Sequence, residues 1–240
     1  MKVARYKRDS DVSYTLGATL TIELLKNRPE LVERVLVSSS LQDNESTRYL
    51  MQLCREARVG VEQNDKAFHI LSPKGNCYVI GIFQKYECPL QEGSHIVLVN
   101  PSDAGNLGTI LRTAVGFRMA RIAIVKPGVD LFDPKVVRAS MGALFHAQFQ
   151  YYNSFEEYRR QFPSQHLYSF MLRRSTPVQD IQYEEPYSLL FGNEATGLPD
   201  DYADFTKAVL IPHSGEIDSL NLPIAAGIAM YTVSSQRRRE

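Results

Sequence analysis

From His95 onward the chain repeats one pattern: a short, almost uncharged apolar run, a turn, then a segment with helical spacing. HIVLVN (His95 to Asn100) is followed by GNLGTILRTAVGF (Gly105 to Phe117). RIAIVK (Arg121 to Lys126) is followed by PKVVRASMGALF (Pro134 to Phe145), with proline in a first helical turn. AQFQYY, HLYSFML, SLLFG and KAVLIP continue the series, and a last helix follows Ser219. Short apolar runs alternating with helices predict a mainly parallel sheet covered on both faces. The chain is therefore α/β, and ligands are expected beyond the carboxyl ends of its strands.

The first ~90 residues alternate less regularly. TLGATLTIELLKN (Thr15 to Asn27) reads as a helix, RVLVSSS (Arg34 to Ser40) as a strand, and STRYLMQLCREARV (Ser46 to Val59) as a helix with a serine cap. NCYVIGIFQKY (Asn76 to Tyr86) is a strong strand. ECPLQEGS (Glu87 to Ser94) then combines proline, glycine and charge, so the domains are read as residues 1–91 and 92–240. The closing SSQRRRE reads as a solvated basic end.

Lys+Arg and Asp+Glu balance at 27 each, so an RNA partner would require segregated basic residues. Three cysteines without a CxxC pair argue against a disulfide framework or zinc site and fit a reducing cytosol. No secretory signal or membrane span is apparent, so the expectation is a soluble cytoplasmic protein.

Three strand ends are unusual. In NPSDAGNLGTILRTA (Asn100 to Ala114), Asn106 can cap a helix and Arg112 follows six residues later, a set suited to an anion. A capped helix with a solvated arginine explains the same residues. The loop is neither a Rossmann fingerprint nor a P-loop. In LLFGNEATGLPDDY (Leu189 to Tyr202), Gly192 and Gly197 flank Glu194, as in a tight turn against a ligand or an ordinary turn. In IPHSGEIDSLNLP (Ile211 to Pro223), His213 lacks partners at metal spacing and reads as a loop or surface histidine. Ser219 lacks a nucleophile elbow, and Asn221 with Pro223 is a respectable helix start.

Taken in order, GNLGTILRTA, FGNEATGLP and IPHSGEIDSLNLPIAAGIAMY resemble the three signature motifs of the SpoU (TrmH) class. These are S-adenosylmethionine-dependent RNA 2′-O-ribose methyltransferases of the SPOUT superfamily. The resemblance runs from roughly Ile96 to Arg237 and includes VVRASMGALFH (Val136 to His146). The first 91 residues, through GATLTIELL, resemble the ribosomal-protein-like substrate-binding domain that many members carry, although KGNCYVIGIFQKY stands in place of its usual QGxxA-like ending.

The resemblance implies a SPOUT domain with a C-terminal trefoil knot, S-adenosyl-L-methionine as cofactor, no metal, and a homodimer. It implies an RNA substrate, rRNA before tRNA, and excludes DNA because the reaction needs a 2′-hydroxyl. Carried over by motif position, Arg112, Asn106, Glu194, Ser219 and Asn221 are the catalytic set, and Gly192, Ile211 and Leu220 line the cofactor pocket. Arg112 would hold RNA phosphate and stabilise the transition state, since a guanidinium is a poor base. Asn106 would orient Arg112 or the ribose, and Glu194 would hold the motif loops. Ser219 and Asn221 would order the knot. Pro223 stands where the family has serine, and Ala104 where it often has proline. A noncatalytic RNA-binding protein that retains the fold is the alternative.

Overall fold

The computed structural model describes residues 3–72 and 75–237, so the last three residues of the basic SSQRRRE end lie outside the described residues. The chain forms two compact units, one of residues 1–86 with 130–146, the other of 87–129 with 147–240. Among the described residues, no helix is long and apolar enough to cross a membrane.

The first unit begins with β1 (Val12–Leu16), α1 (Ala18–Asn27), β2 (Val32–Val37), α2 (Glu45–Glu56), β3 (Gly60–Gln63), α3 (Asp65–Leu71) and β4 (Val79–Gln84). Its sheet runs β1-β4-β2-β3. β4 is antiparallel to both neighbours, and β3 is parallel to β2. Thr15 and Leu16, expected in the first helix, instead pair with Gly81 and Ile80. The helix then starts at Ala18 and buries Leu20, Leu24 and Leu25. Gly81 lies so close to β1 that its N–H donates to Thr15 Oγ1 at 3.0 Å. The α2 cap is Asn44 rather than Ser46: its side chain accepts the Thr47 N–H while Thr47 Oγ1 accepts the Asn44 N–H, a reciprocal box.

The second unit continues with β5 (His95–Val99), α4 (Ala104–Gly116) and β6 (Arg121–Val125). The chain then returns to the first unit through α5 (Pro134–Ala139) and a 3₁₀ turn at Ala143–His146. The single helix expected over Pro134 to Phe145 is broken, with positive φ at Met141 and Gly142. Phe132 and Phe145 pack on Phe83, their ring centroids 6.3 and 5.4 Å from its own. Ser13 donates to the Phe132 carbonyl, and Tyr86 to that of Leu144. Compactness therefore does not follow a single cut at 91/92, because the aromatic residues of 130–146 complete the core around Phe83. Conversely, Cys88 and Leu90 belong with the second unit, where the Cys88 carbonyl accepts the Phe149 N–H at 2.8 Å and Leu90 is buried.

The chain finishes the second unit with β7 (Gln148–Tyr152), α6 (Phe155–Gln161), β8 (His166–Phe170), β9 (Thr176–Pro177), β10 (Tyr187–Phe191), β11 (Lys207–Leu210) and α7 (Leu222–Arg237). The seven strands run β7-β6-β5-β10-β8-β11-β9, and every neighbouring pair is parallel. Alternate strand residues face opposite sides. Val97, Val99, Ala123, Val125 and Leu190 join Phe155 and Tyr158 of α6 in one core cluster. Ile96, Leu98, Ile122, Ile124, Leu189 and Phe191 are equally buried, so both faces are covered. α4 packs against α7, and α7 against β10.

A polar chain runs through the start of this sheet. His95 Nε2–H donates to the Gln91 carbonyl at 2.9 Å, and its Nδ1 accepts from Tyr158 at 2.8 Å. The carbonyl can only accept, which fixes the tautomer. Burial, reinforced by Arg121 and partly opposed by the Gln91 bond and Glu92, lowers the affinity of His95 for a proton.

Candidate active site

β5, β10, β8 and β11 are consecutive neighbours, so their carboxyl ends at Val99, Phe191, Phe170 and Leu210 lie along one stretch of sheet edge. The loops that follow enclose a cavity of 560 Å³. Gly192, Ile211 and Leu220 line it, as do Asn106, Glu194, Ser219 and Asn221. Seven of the eight residues singled out in the sequence therefore share one cavity, which has the size of a small-molecule site.

Glu194 ties two of these loops together. Its Oε2 accepts from Ser102 N–H at 3.0 Å and Ser102 Oγ–H at 2.6 Å. Its Oε1 accepts from Asp103 N–H at 3.1 Å and Asn106 Nδ2–H at 3.2 Å. Burial raises the carboxyl's proton affinity, but the bonds from Ser102 and Asn106 outweigh it and hold the group below the usual carboxylate range. Glu194 is an ionised clasp, saturated with donors. The α4 cap is Asp103 and not Asn106: the Asp103 side chain accepts the Asn106 N–H at 2.7 Å, which puts Asn106 inside the first turn.

The glycine before this clasp is dictated by crowding. A Cβ on Gly192 would sit 2.1 Å from the carbonyl carbon of Gly197, and no rotamer relieves a backbone clash. Asn193 and Gly197 exchange backbone bonds, N–H to O at 2.8 Å one way and 3.3 Å the other. Asn193 Nδ2 donates to the Asn100 carbonyl at 2.8 Å, and its Oδ1 accepts from Ala195 and Thr196 N–H. A tight, fully bonded turn thus forms one wall of the cavity.

Residues 93–231 match the SpoU rRNA methylase family, more than half of the chain. The chain belongs to that family. A 23S rRNA (guanosine(2553)-2′-O)-methyltransferase of Bacillus subtilis, RlmP, is 26% identical over 229 residues, covering 90% of this chain and 85% of that protein. An uncharacterized tRNA/rRNA methyltransferase of Synechocystis is 32% identical over 145 residues; that match covers 59% of this chain and only 53% of the relative. The crystal structure of an AdoMet-bound rRNA methyltransferase from Sinorhizobium meliloti superposes with a TM-score of 0.80 at 27% identity, covering 94% of this chain and 88% of that one.

Against this SpoU background, the remaining motif residues can be placed. α7 begins at Leu222, so Asn221 stands at the N-cap position and its carbonyl accepts the N–H groups of Ile224 and Ala225, both at 3.0 Å. Pro223 is buried in the first turn, where a missing N–H costs little. Ser219 is exposed at the cavity. Arg112 is the residue set apart. It is exposed on α4, outside the cavity lining, and among the described residues its side chain has no hydrogen bond or ion pair.

His213, read from sequence as a loop or surface histidine, stands in the loop after β11, partly buried on the cavity wall. Its Nδ1–H donates to the Ile211 carbonyl at 2.9 Å, leaving Nε2 as the other ring nitrogen. The sequence reading also missed the wall after β8, formed by Phe170, Met171, Leu172 and Arg173. Its signal was present: HLYSFML is a strand of the same series, and its carboxyl end therefore meets the same sheet edge.

Proposed function

We propose that this chain transfers a methyl group from S-adenosyl-L-methionine to a ribose 2′-hydroxyl of RNA, with rRNA favoured over tRNA, as a cytoplasmic homodimer. The observation that carries the proposal is the Glu194 clasp on a glycine-walled cavity at the carboxyl edge of a SpoU-family sheet. The preference for rRNA is supported by the Bacillus subtilis relative, which is named for 23S rRNA and aligns with nine-tenths of this chain.

The cavity suits an adenosyl compound. Leu198, Val209, Leu220 and Ala225 supply apolar wall, and the tight turn at Gly192 supplies a wall with no side chain at that position. Gly192, Ile211 and Leu220 would hold the donor. When bound, S-adenosyl-L-methionine supplies an electrophilic methyl group on a sulfonium centre. The protein's task is then alignment and exclusion of water. Arg112, exposed and without an ion pair among the described residues, would engage an RNA phosphate and stabilise charge at the transition state. Asn106 would meet the ribose, and Ser219 and Asn221 would order the loop before α7.

The homodimer is supported by α7, where Ile224 and Tyr231, seven residues apart on one stripe, are 56% and 63% exposed. The trefoil knot and an RNA-binding role for the first unit belong to the same proposal.

Mapping 2′-O-methyl sites in total RNA from cells with and without this protein tests the reading and names the target. Loss of one site is expected. An unchanged map, together with no calorimetric binding of S-adenosyl-L-methionine, would overturn it.

A further inference from the structure

Asn106 has two chemically different ends, and its neighbour determines which end faces where. A carboxylate only accepts hydrogen bonds, so Glu194 Oε1, 3.2 Å away, draws the Nδ2 end of the amide. Oδ1 is then the end with no donor paired with it among the described residues, on a side chain that lines the cavity. This orientation is only as firm as the carboxylate that imposes it.

Glu194 in turn is held by Ser102. The Ser102 hydroxyl makes the shortest of the four contacts, 2.6 Å to Oε2, and the Ser102 N–H reaches the same oxygen at 3.0 Å. Bonds of a hydroxyl to an ionised carboxylate are the strong ones. With Oε2 occupied twice by one residue, Oε1 is left to Asp103 N–H and Asn106. No motif reading of the sequence singled out Ser102, whose side chain works only through Glu194.

We propose that Ser102 is a positioning residue for methyl transfer: through Glu194 it sets the polarity of the Asn106 amide, so that Oδ1 accepts a hydrogen bond from the ribose hydroxyl of the bound RNA. The proposal rests on the methyl-transfer reading above and extends it to an acceptor and its support. Ser102→Ala loosens the clasp without touching the cavity wall.

Two measurements on the full chain test it. The first is the side-chain amide spectrum of ¹⁵N-labelled protein, with the Asn106 signal assigned by its loss in Asn106→Asp. One Asn106 amide proton should be shifted downfield by the carboxylate in the wild type, with the shift reduced in Ser102→Ala and abolished in Glu194→Gln. The second is single-turnover methylation of the mapped RNA. Ser102→Ala should slow it roughly ten- to hundredfold, with donor affinity by calorimetry unchanged, and Ser102→Thr should restore most of the rate. Unchanged donor affinity also shows that the variant is folded. An Asn106 amide pair in the wild type with neither proton shifted downfield of exposed asparagine side chains, or an unchanged rate in Ser102→Ala, would overturn the proposal. A wild type that methylates no RNA overturns the underlying reading instead, and the amide signals then still report whether Ser102 orients Asn106.

Discussion

The two sheets of this protein treat their strand ends differently. In the four-stranded sheet β4 runs against both β1 and β2 and keeps their carboxyl ends apart, so among neighbours only β2 and β3 bring theirs together. In the seven-stranded sheet every neighbouring pair is parallel, and the carboxyl ends of β5, β10, β8 and β11 gather their loops around one cavity. Strand direction, more than the chemistry of any single loop, explains why seven of the eight candidate residues converge on one cavity of the second unit. Loops far apart in sequence, such as those at Ser102 and Glu194, become hydrogen-bond partners because their strands are neighbours.

The sharpest way to break this contrast is to add one methyl group to each sheet. Gly192→Ala forces a Cβ against the Gly197 backbone at 2.1 Å and should cost roughly 3 kcal/mol while abolishing donor binding. Gly81→Ala meets the Thr15 side chain at 2.4 Å, which can rotate away at the loss of its bonds to Gly81 and Thr21. That should cost about 1–3 kcal/mol and leave donor affinity intact. Chemical denaturation and calorimetry measure both; retained donor binding in Gly192→Ala would contradict the role given to the turn.

Arg112→Ala should slow methyl transfer roughly hundred- to thousandfold with Tm and donor affinity unchanged, since the residue lies outside the cavity lining. Unaltered turnover would remove Arg112 from the mechanism.

Acid should also separate the units. His95 binds a proton less readily folded than unfolded, so its contribution to stability is present above pH 6.5 and is lost as pH falls through its lowered folded value. Glu194 follows the same sign at lower pH: its contribution is present above 4.5 and is lost as pH drops through its depressed folded value. Hydrogen exchange should therefore accelerate first at β5, with β4 lagging. The opposite order, or no effect of His95→Gln on the β5 response, would count against this account.

Helix caps provide the gentlest comparison. Asn44→Ala and Asp103→Ala should each cost about 1 kcal/mol in denaturant titrations. Only Asp103→Ala should reduce methyl transfer, because its cap fixes the turn carrying Asn106. Equal effects on activity would show that capping has no special link to the site.

How much could be read from the sequence follows the same division. β5 and β10 are buried at every residue, and such continuous apolar runs stand out in any window. β3 is exposed at every residue and carries a single apolar side chain, Val61, and β9 is two residues long. Only the end of β1, Thr15 and Leu16, reads as helix, because Leu16 and Leu20 fall at helical spacing, although Leu16 pairs with Ile80. Motif order found seven of the eight site residues on one cavity. Spacing could not show that Asp103 takes the cap from Asn106, nor that residues 130–146 complete the first unit, since both depend on contacts made in three dimensions.

That return of the chain has a consequence for biosynthesis. A ribosome that has released the first 86 residues has made all four strands of the first sheet, but not the Phe132 and Phe145 rings that pack on Phe83. Residues 87–129, with β5, α4 and β6, must emerge in between. The amino-terminal unit therefore cannot mature as an independent early product. It waits, with part of its core open, for a later stretch of the same message.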